Sequence, residues 1–119
     1  MPAIVQPAAS GGGAVEPARN DRGSVTGLAP ASTHTLVSVV AGTRKLRGFS
    51  VHGDTDAVAW VEVDGSPLAG MSARFNRVLP AYIALPNPEA YPASTSTVTL
   101  RVRNDGDTAG DFEGTLFGE

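Results

Sequence analysis

One segment in the last quarter of the chain alternates strictly between apolar and polar residues, and this pattern limits what the chain can fold into. Residues 97–103 read TVTLRVR, in which Val98, Leu100 and Val102 occupy every second position. Successive side chains of a β-strand point to opposite faces, so such a segment buries one face and exposes the other. The alternation predicts a strand in a two-layer β structure, with these three residues in its core.

Further segments predict about seven or eight short antiparallel strands in total. Residues 57–63 are rich in β-forming residues and end at Asp64-Gly65, a dipeptide typical of tight hairpin turns. No stretch has a convincing helical stripe, and turn residues recur about every 8–12 residues, the spacing typical of a sandwich. The other predicted strands are 35–40 and 46–51, joined as a hairpin by residues 41–44, and then 72–78, 82–85 and 111–117.

The same periodicity predicts which other residues form the core. Trp60 lies in the middle of a strand and shares a face with Val58, which favours a place in the core over an exposed aromatic platform. Phe112 and Leu116 share one face of the last strand. The prolines between residues 86 and 92 predict an irregular crossing between the sheets, or an edge, because proline cannot donate to a ladder. The predicted fold is all-β: a single β-sandwich, jelly-roll-like domain.

The first part of the chain has a different composition. Residues 1–33 are rich in Pro, Gly and Ala, and their apolar residues keep no regular period. Such a segment buries too little apolar surface to fold alone. We therefore expect an extended N-terminal arm, 1–33, ahead of a β-sandwich domain, 34–119. The residues expected to fill pockets on a partner are Ile4, Val5, Val15, Val25 and Leu28.

Composition argues against several classes of partner and site. Nine Lys and Arg against twelve Asp and Glu give a net charge of −3, so no basic surface for nucleic acid is expected. No apolar run approaches the ~20 residues that span a bilayer, and the first residues lack the apolar core of a secretory signal. The chain has no Cys, which excludes thiolate zinc sites and fits a reducing cytoplasm. We expect neither nucleic acid nor membrane as a partner.

Candidate catalytic and metal-binding residues are few. Ser50 and His52 share a strand face, but a Ser–His hydrolase would also need an oriented acid and an oxyanion hole. Asp105, Asp107 and Asp111 suggest calcium, although their spacing does not fit the helical calcium loop and a solvated turn explains them as well. We interpret the chain as not an enzyme, with no catalytic residues, no metal ligands and no cofactor.

Several passages resemble small structural proteins of tailed bacteriophages. They are GFSVHG at 48–53, AWVEVDG at 59–65, LPNP at 85–88, VTLRVRN at 98–104 and GDFEGTL at 110–116. In that group a compact β-sandwich or jelly roll packs on the shell and an extended arm reaches neighbouring subunits. The group has no catalytic residues to carry over to this chain.

The resemblance implies a virion structural protein, made in the host cytoplasm and present as a homo-oligomer or in many copies. Its partner would be the major capsid protein or another virion protein lattice. The length of the arm favours a capsid decoration, or cement, protein. A head–tail or tail accessory protein stays open, as does a carbohydrate- or cell-surface-binding module. Exposure of Trp60 and Tyr82 would favour the last of these.

Overall fold

The sandwich predicted from the sequence is confirmed. The structure, a computed structural model, describes residues 19–40, 45–90 and 95–118, with the backbone alone for 19 and 85–90. In these residues, eight antiparallel strands form two four-stranded sheets. They are β1 (Arg19–Leu28), β2 (Thr33–Val40), β3 (Lys45–Gly53), β4 (Ala57–Val63), β5 (Ser66–Phe75), β6 (Ala81–Ala90), β7 (Thr97–Asn104) and β8 (Gly110–Gly118). The first sheet has the order β1-β8-β3-β6 and the second the order β2-β7-β4-β5.

The core lies between the two sheets and follows the alternation of their strands. Val98, Leu100 and Val102 of β7 are fully buried, as predicted. The ring of Phe112, on β8, packs edge-on against Phe75 with the ring centroids 5.9 Å apart. Burying a large apolar side chain stabilises a fold by about 1.5–3 kcal/mol, so these residues hold the two sheets together. The remaining core residues are Leu36, Val37, Leu46, Phe49, Val51, Ala57, Ala59, Val61, Met71, Ala81 and Leu116.

Trp60 is not in the core, contrary to the prediction. The buried positions of β4 are Ala57, Ala59 and Val61, so Trp60 and Val58 share the outer face of the second sheet. The tightly packed interior accepts small alanine side chains at these positions, whereas a large indole needs more space. The indole N–H donates to Glu62 at 2.8 Å on that outer face.

Residues 19–33 belong to the sandwich rather than to the arm, which corrects the predicted boundary at residue 33. β1 pairs with β8, from Arg19 opposite Gly118 to Leu28 opposite Gly110, and forms an edge of the first sheet. Sequence reasoning missed this strand because an inward position is occupied by Gly23, which breaks the apolar alternation. A Cβ at Gly23 would overlap the carbonyl oxygen of Leu36 on β2, so the glycine lets β1 and β2 touch.

The predicted strands 35–40 and 46–51 are present as β2 and β3, but they do not form a hairpin. β2 pairs with β7, and β3 pairs with β6 and β8. Residues 41–44, which lie outside the described residues, therefore connect the two sheets. A short connection is compatible with either arrangement, and only the pairing partners distinguish them. The prolines of LPNP lie within β6, an edge strand of the first sheet, which matches one of the two predicted alternatives. The chain passes from β6 in the first sheet to β7 in the second after residue 90, where a crossing was also predicted, and Tyr91-Pro92 lies outside the described residues.

The hairpin predicted at Asp64-Gly65 is confirmed. Both residues have positive φ, 51° and 85°, as a two-residue turn between antiparallel strands requires. β5 begins directly after this turn, earlier than the predicted residue 72, and ends at Phe75. The register between β4 and β5 shifts after Trp60, and Gly70 has a φ of 78° in the same region. Because this irregularity interrupts the alternation of apolar and polar residues, the first half of β5 was not predicted from the sequence.

Candidate interaction surfaces

Four loops gather at one end of the sandwich, which we call the loop end. They follow β1, β3, β5 and β7 and comprise residues 29–32, 54–56, 76–80 and 105–109. Arg19, at the start of β1, lies at the opposite end beside Gly118. Since a ten-residue strand spans about 30 Å, the loop end and the start of β1 are far apart on the molecule.

Asn104, which is 0 % exposed, holds the loops of the loop end together through hydrogen bonds. Its amide nitrogen donates to the carbonyl oxygens of Leu28 and Thr108, both at 2.8 Å, and its amide oxygen accepts the N–H of Gly106 at 2.8 Å. Its backbone N–H donates to the carbonyl oxygen of Ser32 at 3.0 Å. One buried residue therefore ties the end of β1, the β1–β2 turn and the β7–β8 loop together.

The β5–β6 loop exposes two large apolar side chains, Val78 and Leu79, which we call the apolar tip. The side-chain oxygen of Asn76 accepts the backbone N–H groups of Val78 at 2.8 Å and Leu79 at 2.9 Å. The backbone N–H of Asn76 donates to the carbonyl oxygen of Leu79 at 3.1 Å. In such a turn the asparagine at the start of the loop forms hydrogen bonds with the backbone two and three residues later. The two side chains nonetheless remain 77 % and 67 % exposed.

A cleft of about 720 Å³ lies beside the apolar tip. The residues that line it include three acids, Asp54, Asp56 and Asp107, and one cation, Arg77. No ion pair joins any of these three carboxylates to a cationic side chain of the described residues. Asp54 is oriented instead by the backbone N–H of Asp111, which it accepts at 2.9 Å. The cleft therefore presents unpaired negative charge next to an apolar surface.

Asp105, at the same cleft, is neutralised by two arginines. Arg103 Nε donates to Asp105 Oδ1 at 2.8 Å, and Arg74 Nη1 lies 3.7 Å from Asp105 Oδ2. The hydrogen bond from Arg103 lowers the pKa of Asp105, burial opposes this, and the charges of Arg103 and Arg74 add to the lowering. The resulting stabilisation is present above the unfolded pKa of about 3.9 and is lost as the pH falls through the lowered folded value. For an ion pair this exposed to water the stabilisation is small, because the solvent screens the charges.

The acids that suggested calcium serve different structural roles. Asp111 Oδ1 accepts the backbone N–H of Gly27 at 2.8 Å and so ties β8 to β1, whereas Asp105 pairs with arginine. Within the ranges 19–40, 45–90 and 95–118, no three His, Asp or Glu side chains come together as a group that could hold a metal ion. The same ranges contain no helix with the length and apolar character needed to cross a membrane.

The outer face of the first sheet places an acid beside His52 that sequence reasoning did not find. Glu113 lies directly opposite His52 across β3 and β8, and its Oε1 is 3.0 Å from His52 Nε2. Arg22 Nη2 lies 3.7 Å from the other oxygen of Glu113. Serine hydrolase chemistry needs a hydrogen bond from the nucleophile to the base, and no such bond joins Ser50 to His52 in the described chain. The geometry is that of an exposed charged cluster.

Aromatic side chains lie on both outer faces of the sandwich. Tyr82, on β6, is 66 % exposed, and its ring meets Phe117 at a centroid distance of 6.2 Å and an angle of 65°. Trp60, on the second sheet, lines a groove of about 410 Å³ together with Leu68 and Arg103. Tyr82 and Trp60 lie on opposite sides of the molecule, so they do not form one continuous surface.

The residues predicted to bind a partner fall into two groups. Ile4, Val5 and Val15 lie outside the described residues, so their role stays a prediction. Val25 and Leu28 lie on β1, where they are partly buried against the core of the domain itself rather than carried on a free arm. Their apolar side chains therefore help to hold β1 on the sandwich.

No protein family model matches the chain, and no curated protein matches it. The choice of a functional site therefore depends on the geometry of this chain. The loop end combines two exposed apolar side chains, a hydrogen-bonded backbone and unpaired carboxylates. We take it as the candidate interaction surface, with the exposed aromatic pair of the first sheet as the second candidate.

Proposed function

We propose that the chain is a non-enzymatic virion structural protein, a capsid decoration protein that clamps neighbouring subunits of a protein shell. The observation that carries this proposal is the separation of two attachment points. The loop end offers the apolar tip, and the residues before Arg19 join the domain at the opposite end. Eighteen residues reach about 60 Å when fully extended. A compact body with one contact surface and a long leading segment at its far end is suited to link two subunits.

The partner in this proposal is the major capsid protein, or another repeating virion protein. A single apolar tip offers little area compared with the ~1,200 Å² that specific stable interfaces bury in total. Attachment of one molecule to several points of a fixed lattice raises the effective concentration of each further contact. Binding in many copies on a virion therefore suits this chain better than binding to a single isolated partner.

A second candidate function is a module that binds carbohydrate on a cell surface. The observation that favours it is the exposed ring of Tyr82, which lies beside Phe117 on the outer face of the first sheet. An exposed aromatic ring offers an apolar surface with a polar hydroxyl at its end, which suits contact with a sugar. The two rings are inclined by 65° and so do not form one flat platform. This places the carbohydrate module second.

The proposed function is tested by heating particles assembled with and without the chain. Particles that lack it should release their contents at a lower temperature, because the links between neighbouring subunits are missing. Adding back the purified full-length protein should restore the release temperature, and the variant Tyr82→Ala should restore it equally well. If particles without the chain are equally robust and the isolated protein binds a glycan through Tyr82, the carbohydrate module is the correct function.

A further inference from the structure

We propose that the loop end binds an apolar depression on the shell protein, and that lysine or arginine side chains border this depression. The inference rests on the proposed function for the identity of the partner. It adds which surface of the domain makes the contact and what chemistry receives it. The apolar tip would fill the depression, and the carboxylates of the adjoining cleft would meet the cationic border.

The apolar tip is the contact that fills the depression. Among the described residues, the large hydrophobic side chains that are mainly exposed are Val40, Val78, Leu79 and Tyr82. Val78 and Leu79 are adjacent in one loop, whereas Val40 lies at the end of β2, on the opposite end of the molecule. These two neighbouring apolar side chains form a protrusion on the turn. A concave apolar surface on the partner would be complementary to this protrusion.

The shape of this protrusion is fixed before binding. Asn76 holds the backbone of the tip through three hydrogen bonds. Asn104 anchors the β7–β8 loop, and the backbone N–H of Asp105 donates to the carbonyl oxygen of Asp56 at 2.8 Å, which joins two loops of the cleft. A surface that is ordered in the free protein loses little conformational entropy on binding. The loop end therefore has the rigidity expected of a docking surface.

The negative charge beside the apolar tip predicts a positive charge around the depression on the partner. Asp54, Asp56 and Asp107 line the cleft without ion pairs among the described residues, and they outnumber Arg77, the cation in the lining. Asp105 contributes little to this field because Arg103 and Arg74 neutralise it. Charges at the rim of an interface steer association and fix orientation when the partner carries the opposite sign. The complementary surface is therefore positively charged around an apolar centre.

The experiment uses purified full-length protein and particles assembled without the chain. Bound and free protein are separated by sedimentation over a range of protein concentrations. The double variant Val78→Ser with Leu79→Ser should bind about tenfold more weakly or worse, because the apolar contact is removed. The matched control Val40→Ser removes an exposed apolar side chain from the opposite end and should bind as the natural protein does. Melting curves should show that all three proteins remain folded.

The charged border is tested with Asp56→Asn combined with Asp107→Asn. This variant should bind more weakly at low salt, and its affinity should depend less on salt concentration. Unchanged binding by the Val78 and Leu79 variant would overturn the docking surface while leaving the proposed function standing. An unchanged salt dependence after the aspartate substitutions would overturn the cationic border. Failure of the natural protein to bind particles would overturn both the inference and the proposed function.

Discussion

Replacing Gly23 by alanine is expected to lower the melting temperature of the domain by about 10–20 °C, equivalent to about 3 kcal/mol. The new Cβ would overlap the backbone carbonyl of Leu36, and neither group sits at the end of a flexible side chain. β1 would have to move away from β2, which would also pull Val25 and Leu28 from the core they partly cover. Thermal unfolding followed by circular dichroism measures the effect.

The matched control for this substitution is Gly27→Ala on the same strand. Gly27 has a φ of 70°, but a Cβ at this position has open space around it. The control should therefore cost only the strain of a left-handed backbone, about 1 kcal/mol. If Gly23→Ala melts at the same temperature as the natural protein, β1 does not pack on β2 as described. The domain boundary predicted from the sequence, at residue 33, would then be the better one.

Replacing Asn104 by alanine is expected to destabilise the domain by about 3–5 kcal/mol. The substitution removes a fully buried side chain, and it takes the partner from the carbonyl oxygens of Leu28 and Thr108 and from the N–H of Gly106, which are partly buried. Each buried polar group that loses its partner costs about 1–3 kcal/mol. Unfolding in urea measures the loss as a shift of the transition midpoint at unchanged slope.

Asn76→Ala is the control for this second substitution. It removes two side-chain hydrogen bonds from an exposed loop, where water can replace them, so the expected loss is about 1 kcal/mol. A result in which both asparagine variants are equally stable would show that water satisfies the groups around Asn104. The loop end would then be less firmly held than the hydrogen bonds indicate.

Strands with a clear alternation of apolar and polar residues could be predicted from the sequence. Residues 97–103 gave the three buried positions of β7, and the same period continued one step further leads to Asn104, a signal that could have identified the buried amide. Trp60 shows what alternation leaves open. It establishes that Trp60 and Val58 share a face, but which face meets the other sheet depends on residues elsewhere in the chain.

The features that depend on distant parts of the chain could not be predicted. β1 has a glycine at an inward position because the backbone of β2 lies against it, and that contact joins residues 23 and 36 across two sheets. The assignment of β2 and β3 to different sheets is likewise decided by β7 and β8, far along the chain. The loop end unites four loops that are separated in sequence by entire strands. The exposed positions of Val78 and Leu79 were hidden because residues 72–78 were predicted as a strand.

The clamp is tested most directly by an electron cryomicroscopy reconstruction of the particle, compared with particles that lack the chain. We expect additional density for an eight-stranded sandwich at repeated positions of the lattice. The loop end should lie against one shell subunit, with Val78 and Leu79 buried at the contact, and the residues before Arg19 should extend to a second subunit. Two results would contradict the proposed clamp. One is the absence of this density from the lattice, and the other is a sandwich that contacts only one subunit, with neither the loop end nor the residues before Arg19 at the contact.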